Sequence, residues 1–490
     1  MEKQDKEENG ADKGSPIAEL RSFMKSFYIN EVPSYGNNFF FTIGVYLLEL
    51  FGILAITGMI MLVFGPYWWN LSPVGTFVRT VHLWAAEAFV LLMFLHFFVN
   101  FSTSAFKKKK LVWMIGGIML LAVLLEFAFG IGGMGGLISQ YNAKAGADLW
   151  NGLGFGYWIN PLNEGAVIGW HAAILPLILG ALMLVHFMLV KTKGLNTPYR
   201  NDIKYSIVPA DHRAMFKRMG YVLIAVVVFA VLFRAPYEAP LTIGYIANNY
   251  PNLTAITLLN EFNGSSNTAT YLDTIDPYTF STRAVYVTEP YQVYRNITHT
   301  KNYEAAFLAE NDSMRNGTLA NAFAYFESNG SVTKGMNSSN PLIAMASGLT
   351  EMAQKGVYQP IVQDEAQSGL DTTYVLLFIN DTGMLNVEGQ KYGLDLKQWG
   401  MLSVGGSPPL DIQFWIAPYN LLELMTSGIP WWGDMENGLV GFAAFMVIVF
   451  LPFIPGLNKL PDKLGLYKLF WNRFTVPEMK KSKGKNKRQE

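Results

Sequence analysis

Four of the six histidines in this 490-residue chain, His82, His96, His171 and His186, fall inside long apolar stretches. An imidazole in hydrocarbon is costly unless it has a task. His82 and His96 are 14 residues apart and His171 and His186 are 15 apart. Both separations are close to four helical turns, so each pair projects from nearly one helix face with its members about 21 Å apart along the axis. Neutral imidazole is a common metal ligand. Two such helices crossing in the same direction set His82 level with His171 near one surface, and His96 level with His186 near the other. Each level can hold one haem iron from both sides, and the chemistry expected is electron transfer across the membrane through two stacked b-type haems. A single intramembrane histidine reads as a hydrogen-bonding or proton-relaying group; four at matched spacing read as two ligand pairs. His212 and His299 lie outside the apolar stretches and are given no ligand role.

The elements that must position these histidines are membrane helices. The chain is 51% hydrophobic and only 15% charged, and six stretches, about 39–64, 79–101, 111–133, 167–190, 217–235 and 437–455, are long enough to cross hydrocarbon. Long non-alternating apolar runs match helices, the form that satisfies its own backbone in lipid. A flat porphyrin needs neighbouring helices that leave room. Gly44 and Gly58 on the first span, and Gly116 and Gly130 on the third, repeat the 14-residue histidine interval, setting one glycine of each pair beside each level. Arg79, one turn before His82, is a candidate partner for haem propionates. With no cysteine in the chain, thiolate metal sites and cysteine-ligated iron–sulfur clusters are excluded from it.

Charge distribution sets the expected topology. Lysines 107–110, the cluster Lys191, Lys193, Arg200, Lys204, Arg213, Lys217 and Arg218, and the tail Lys480, Lys481, Lys483, Lys485, Lys487 and Arg488 mark the cytoplasmic side, with both termini there. Residues 1–16 carry no apolar core and cleavage site of a secretory signal. The polar insert between the fifth and sixth spans, about 241–410, has 8 Lys+Arg against 15 Asp+Glu, 8 − 15 = −7, and is expected outside. It holds eight N-x-S/T acceptors, at Asn252, Asn263, Asn296, Asn311, Asn316, Asn329, Asn337 and Asn380, so glycosylation is expected. Its regularly spaced Tyr, Phe and Leu predict a folded domain of unassigned fold.

On the two glycine pairs, R-T-V-H at Arg79–His82 and H-F-M-L-V-K-T-K-G at His186–Gly194, the chain resembles the cytochrome b subunit of cytochrome bc and b-f complexes. The resemblance covers about 28–236 and, more weakly, 407–455, and the 15-residue histidine gap looks more like the plastid-type branch. It implies quinol oxidation near the outer haem, one electron passing to a Rieske iron–sulfur protein and the other through both haems to an inner quinone site. The outer pocket of that family is marked by P-E-W-Y. Here the corresponding stretch is S-P-P-L-D-I-Q-F-W-I, Ser407–Ile416, where Trp415 matches and Phe414 stands at the glutamate position. Asp411, Glu423 and Glu238 are candidate replacement proton acceptors. I-G-G-M-G-G, Ile131–Gly136, replaces the family's P-W pair, which predicts a remodelled outer pocket. Lys191, Asp211 and His212 are the candidates for the inner quinone site. The chain ends after its sixth span and carries the insert where the outer pocket would be completed, suggesting an archaeal-type plasma-membrane complex.

The expected fold is therefore an all-α membrane protein: a dihaem four-helix bundle plus two further transmembrane helices, with a large extracellular insert. The expected organisation is a cytoplasmic segment 1–30, the bundle with helices one to five 31–236, the insert 237–410, an outer quinol-site segment with the sixth helix 411–456, and a basic tail 457–490. Expected cofactors are two haem b, with quinone or quinol as substrate. Expected partners are a Rieske protein, an extracellular cytochrome or copper protein as acceptor, membrane lipid and a second copy of the chain, and no nucleic acid. Two other functions fit parts of the pattern: a dihaem anchor of a dehydrogenase or transmembrane reductase without Rieske chemistry, and a surface glycoprotein whose helices only anchor it.

Overall fold

The computed structural model describes residues 29–195, 197–198, 203–235, 237–271, 279–364, 371–391 and 434–471, with 421–422, 425–426, 428–429 and 432. Asp411, Trp415, Glu423 and the segment Ser407–Ile416 lie outside the described residues.

Among the described residues five helices are long and apolar enough to span a membrane, which makes the chain a multi-pass membrane protein: α1 (Phe39–Leu71), α2 (Pro73–Ser102), α3 (Lys110–Gly132), then, after a shorter helix α4 (Leu137–Gly152), α5 (Glu164–Lys193) and α6 (His212–Leu232). The Asn38 side chain accepts from the Phe40 N–H to open α1, which runs straight over 39–64 before Gly65, at φ 77°, and Pro66 bend it. A left-handed glycine followed by a residue without an N–H is a strong local break. The Ser72 hydroxyl caps α2, accepting from the Gly75 N–H at 2.9 Å. Gly75 is required there, because a Cβ would sit 2.2 Å from the Trp68 carbonyl oxygen.

The bundle core joins all five spans: Leu50 from α1, Trp84, Ala85, Phe89, Val90 and Met93 from α2, Leu120 and Val123 from α3, Leu179 from α5, and Val226 and Ala230 from α6. Phe89 lies midway between His82 and His96 in sequence, so this apolar belt fills the depth between the two histidine levels. At the end where α1 and α6 begin, β1 (Glu31–Pro33) pairs antiparallel with β2 (Ile207–Pro209), Val32 opposite Val208. Asn37 ties the same corner: its amide donates to the Pro209 carbonyl at 3.1 Å and its main-chain oxygen accepts from Arg218. The basic cluster after α2 is engaged as well. Lys107 pairs with Asp462, Lys108 donates to the Pro198 carbonyl, and Lys109 donates to the carbonyls of Gly194 and Leu195.

The described part of the insert is helical. Its main helices are α7 (Ile243–Asn249), α8 (Pro251–Asn263), α9 (Glu289–Thr298), α10 (Asp312–Glu327), α11 (Pro341–Gln354), α12 (Thr373–Asp381) and α13 (Met384–Lys391). Rich in Ala, Gly, Ser and Met, α11 is apolar nearly all round, the mark of a helix surrounded on every side; its residues from Pro341 to Thr350 are all buried. Tyr286, Tyr358 and Phe378 are fully buried beside it, each contributing roughly 1.5–3 kcal/mol of apolar burial. The sequence assigns this domain to 237–410 alone, but α4, from the connection between the third and fourth spans, is part of the same body. Leu137 joins the insert core, the Gln140 side chain exchanges hydrogen bonds with the Leu241 main chain at 2.9 and 2.8 Å, and the Tyr141 ring lies against Gly389.

The sixth expected span is shorter than predicted. α14 (Asp434–Val449) has 16 residues and gives way to a tight turn at Leu451–Phe453, because Pro452 and then Pro455 and Gly456 stop it. At 1.5 Å per residue it reaches about 24 Å, short of the ~30 Å of hydrocarbon. It packs on α3, where the Trp113 indole donates to the Ile448 carbonyl at 2.9 Å.

Candidate cofactor site

The pair expected at the outer level, His82 and His171, is brought together. His82 on α2 and His171 on α5 face each other with ring centroids 6.1 Å apart and planes at 75°. Each ring is fixed through Nδ1. For His82 the partner is the Thr57 hydroxyl on α1, at 2.8 Å. That hydroxyl also lies 2.7 Å from the Ile53 carbonyl, which can only accept its proton. The Nδ1 of His82 is therefore the donor to Thr57, and its Nε2 keeps a free lone pair. His171 Nδ1 lies 3.1 Å from the Glu126 main-chain oxygen on α3, again a group that only accepts. Both outer imidazoles are thus held as the tautomer whose Nε2 is a metal ligand.

At the inner level His96 and His186 are electrostatic neighbours, and His186 lies against the Val112 main chain. The four glycines meet the four histidines one to one. A Cβ on Gly58 would stand 3.4 Å from His82 Cε1, on Gly130 2.8 Å from His171 Cε1, on Gly44 3.8 Å from His96 Cε1 and on Gly116 3.6 Å from His186 Cε1. α1 therefore backs both histidines of α2, and α3 backs both histidines of α5, at the two expected depths.

The unequal intervals have a structural cause that the sequence did not reveal. Fifteen residues at 100° each overshoot four turns by about 60°, whereas fourteen fall about 40° short. In α5 the residues Trp170–Ile174 form a π turn, in which the Leu175 N–H reaches back to the Trp170 carbonyl. One extra residue is absorbed in that wide turn, and His171 and His186 regain the relation that His82 and His96 have in a regular helix.

Other sequence candidates lie at the two ends of the bundle. Arg79 is buried and committed: its guanidinium donates to Asn70 Oδ1 at 2.8 Å and to the Ala235 carbonyl at 2.9 Å, tying α2 to the end of α1 and the exit of α6. Glu238 is at the same end, its main-chain oxygen accepting from the Leu137 N–H at 3.1 Å. Lys191 is exposed in the last turn of α5, at the opposite end. Asp211 caps α6, its carboxylate accepting from the Ala214 N–H at 2.9 Å, and His212 is the first residue of that helix. Thr57 and Glu126 are the functional-site residues that the sequence reading passed over. Glu126 had a signal, a carboxyl in the middle of an apolar span; Thr57 had none, since threonine is common in such helices.

Residues 87–243 match the family model described as cytochrome b (N-terminal)/b6/petB. That part of the bundle is therefore similar to the N-terminal domain of cytochrome b. That family implies b-type haem. The chain is 29% identical over 140 residues to cytochrome b6 of Chlamydomonas reinhardtii, covering 25% of this chain and 63% of that one. It is 26% identical over 221 residues to cytochrome b of Sulfolobus acidocaldarius, covering 38% and 39%, and 26% identical over 198 residues to cytochrome b6 of Heliobacterium modesticaldum, covering 34% and 89%. The solved structure of a hyperthermophilic respiratory Complex III aligns over 77% of this chain and 97% of that one, at 19% identity and a TM-score of 0.36. The chain thus spans less than two thirds of the Chlamydomonas and Sulfolobus relatives it matches.

The residues of the bundle fit a b-type haem on three counts. Two imidazoles sharing one metal ion at about 2.0 Å each put their ring centroids roughly 6 Å apart, and the outer pair is at 6.1 Å. The Nδ1 partners leave Nε2 free on both outer rings. A side chain is missing from the flanking helix beside every histidine.

Proposed function

We propose that the chain is the haem-bearing subunit of a respiratory quinol-oxidising complex that passes electrons across the membrane through two b haems and couples this to proton translocation. The observation that carries the reading is the one-to-one meeting of four histidines with four glycines at two depths. His82 and His171 would hold the outer haem, His96 and His186 the inner one. Bound there, b haem supplies reversible one-electron transfer. The residues of the chain do the rest. Thr57 and Glu126 orient the outer imidazoles, and Leu50, Phe89, Val123 and Leu179 keep water out of the depth between the levels. Arg79 is the propionate candidate by its place one turn above His82. The outer quinol pocket is assigned to Trp415 with Asp411, Glu423 or Glu238 as proton acceptor, the inner quinone site to Lys191, Asp211 and His212.

In this reading the insert faces outward and the basic loops inward in a plasma membrane. Six of the eight acceptor asparagines, Asn263, Asn296, Asn311, Asn316, Asn329 and Asn337, are exposed, while Asn252 and Asn380 are half-buried, which supports a glycosylated outer face. A Rieske protein, an external cytochrome or copper protein, and a second copy of the chain are the proposed partners. Phe414 at the position of the family's glutamate favours one alternative, a dihaem anchor of a dehydrogenase or reductase without Rieske chemistry.

Redox titration of the purified full-length protein tests the proposal. The expected result is two b-type centres of different potential, with His82→Ala or His171→Ala removing one and His96→Ala or His186→Ala the other. A colourless protein, or one with a single centre, refutes it. Inhibition by quinol analogues at the outer site separates the main reading from the alternative.

A further inference from the structure

The outer ligand pair is asymmetric in one respect. His82 turns its Nδ1 to the neutral Thr57 hydroxyl. His171 turns its Nδ1 to Glu126, whose main-chain oxygen and side-chain Oε1 both lie 3.1 Å away. Glu126 and Gly130 are four residues apart on α3 and share one face. Gly130 lets the His171 ring come against the helix, to within 2.8 Å of where a Cβ would stand, and Glu126 receives the ring nitrogen that results. The other carboxyl oxygen, Oε2, is buried with no hydrogen-bond partner. A carboxyl group set in an apolar span is expensive, and Glu126 places its Oε1 3.1 Å from this ring nitrogen. At the inner level His96 and His186 have each other and the Val112 main chain as neighbours.

We infer that Glu126 is a positioning residue that sets the potential of the outer haem through His171, and so sets the direction of electron flow. This rests on the dihaem reading and deepens it. A carboxyl oxygen held 3.1 Å from the far nitrogen of a ligating imidazole, beside the main-chain oxygen that accepts its proton, makes that imidazole a stronger donor to iron. Ferric iron carries one more positive charge than ferrous, so the stronger donor stabilises the ferric form and lowers the potential. With a carboxyl beside His171 and, among the described residues, none within ion-pair distance of His96 or His186, the outer centre would hold the lower potential and an electron would move inward downhill. Partners of this kind change metal affinity by about 10–100-fold. A tenfold preference for one oxidation state corresponds to about 59 mV for a one-electron couple.

The test is potentiometric titration of the purified full-length protein carrying Glu126→Gln or Glu126→Leu, followed by optical spectra of both b centres. The outer centre is identified as the one lost in His82→Ala. Glu126→Leu is expected to raise the outer potential by roughly tenfold in the ferrous-to-ferric ratio, about 59 mV. Glu126→Gln, which keeps a neutral acceptor and the side-chain volume, should raise it less, and the inner centre should stay where it was in both. If wild-type protein shows two centres and the outer potential ignores both substitutions, or if both centres shift equally, the assignment to Glu126 is overturned while the dihaem reading stands. A wild-type protein without two b centres overturns both.

Discussion

Replacing each bundle glycine by alanine separates a cofactor cradle from ordinary helix packing. Alanine in place of an interior helical glycine should stabilise a helix by about 1 kcal/mol, so a glycine that is only a packing notch gives a higher melting temperature when replaced and clear space is present. The four positions differ in that space. An added methyl would lie 2.8, 3.3 and 3.4 Å from Cε1, Nδ1 and Nε2 of His171 at Gly130, but 3.4 Å from His82 at Gly58, 3.6 Å from His186 at Gly116 and 3.8 Å from His96 at Gly44. Carbon–carbon contact is comfortable at about 3.5–4.0 Å, so Gly130→Ala pushes the His171 ring away by about 0.7 Å. Overpacking of that size costs about 1–3 kcal/mol, which cancels or exceeds the propensity gain. A displaced ligand and a stretched Nδ1 hydrogen bond weaken metal binding by roughly 10–100-fold. The haem-to-protein ratio after purification, with melting temperature alongside, reads both effects. Retention of the outer centre should rank Gly130→Ala lowest, then Gly58→Ala, with Gly116→Ala losing some of the inner centre and Gly44→Ala least of all. A Gly130→Ala protein that keeps both centres at wild-type potentials and melts as high as Gly44→Ala would refute the cradle.

Two further expectations concern the insert. Glu261 is fully buried on α8, its Oε2 accepting from the Ser266 hydroxyl at 2.7 Å, and burial, with Asp381 as its neighbour, pushes its carboxyl up to about 9. The folded insert therefore holds a proton that the unfolded chain releases near 4.5, so this group's contribution to stability is full below about pH 4.5 and is lost as pH rises towards 9. Protection factors of the α8 and α12 amides in the full-length protein, taken relative to the intrinsic exchange rate at each pH, should fall over that window and stay level in Glu261→Gln; protection that rises with pH would contradict it. Mass spectrometry of glycopeptides should find occupancy at exposed Asn263, Asn296, Asn311, Asn316, Asn329 and Asn337 and none at half-buried Asn380. Sugar at Asn380 with the exposed sites bare would overturn the outward-facing surface.

The sequence alone determined five of the six expected spans and the histidine frame, because both rest on periodicities local to the chain. The length of hydrocarbon fixes how many apolar residues a helix needs, and 3.6 residues per turn fix which of them share a face. The start of α1 at Phe39 and the pairing of each glycine with one histidine needed nothing else. What the sequence could not decide came from contacts between distant segments or from departures from the regular helix. The π turn at Trp170–Ile174 is a departure of that kind, invisible to a count of residues. Glu126 and Thr57 acquire their roles only when α3 meets α5 and α1 meets α2. The helical body of the insert draws in α4 from about 100 residues earlier, and Asp211, a candidate for the inner site, also caps α6. The fold decided these because hydrogen bonding and close packing act between surfaces, and which surfaces meet is settled only when the whole bundle assembles.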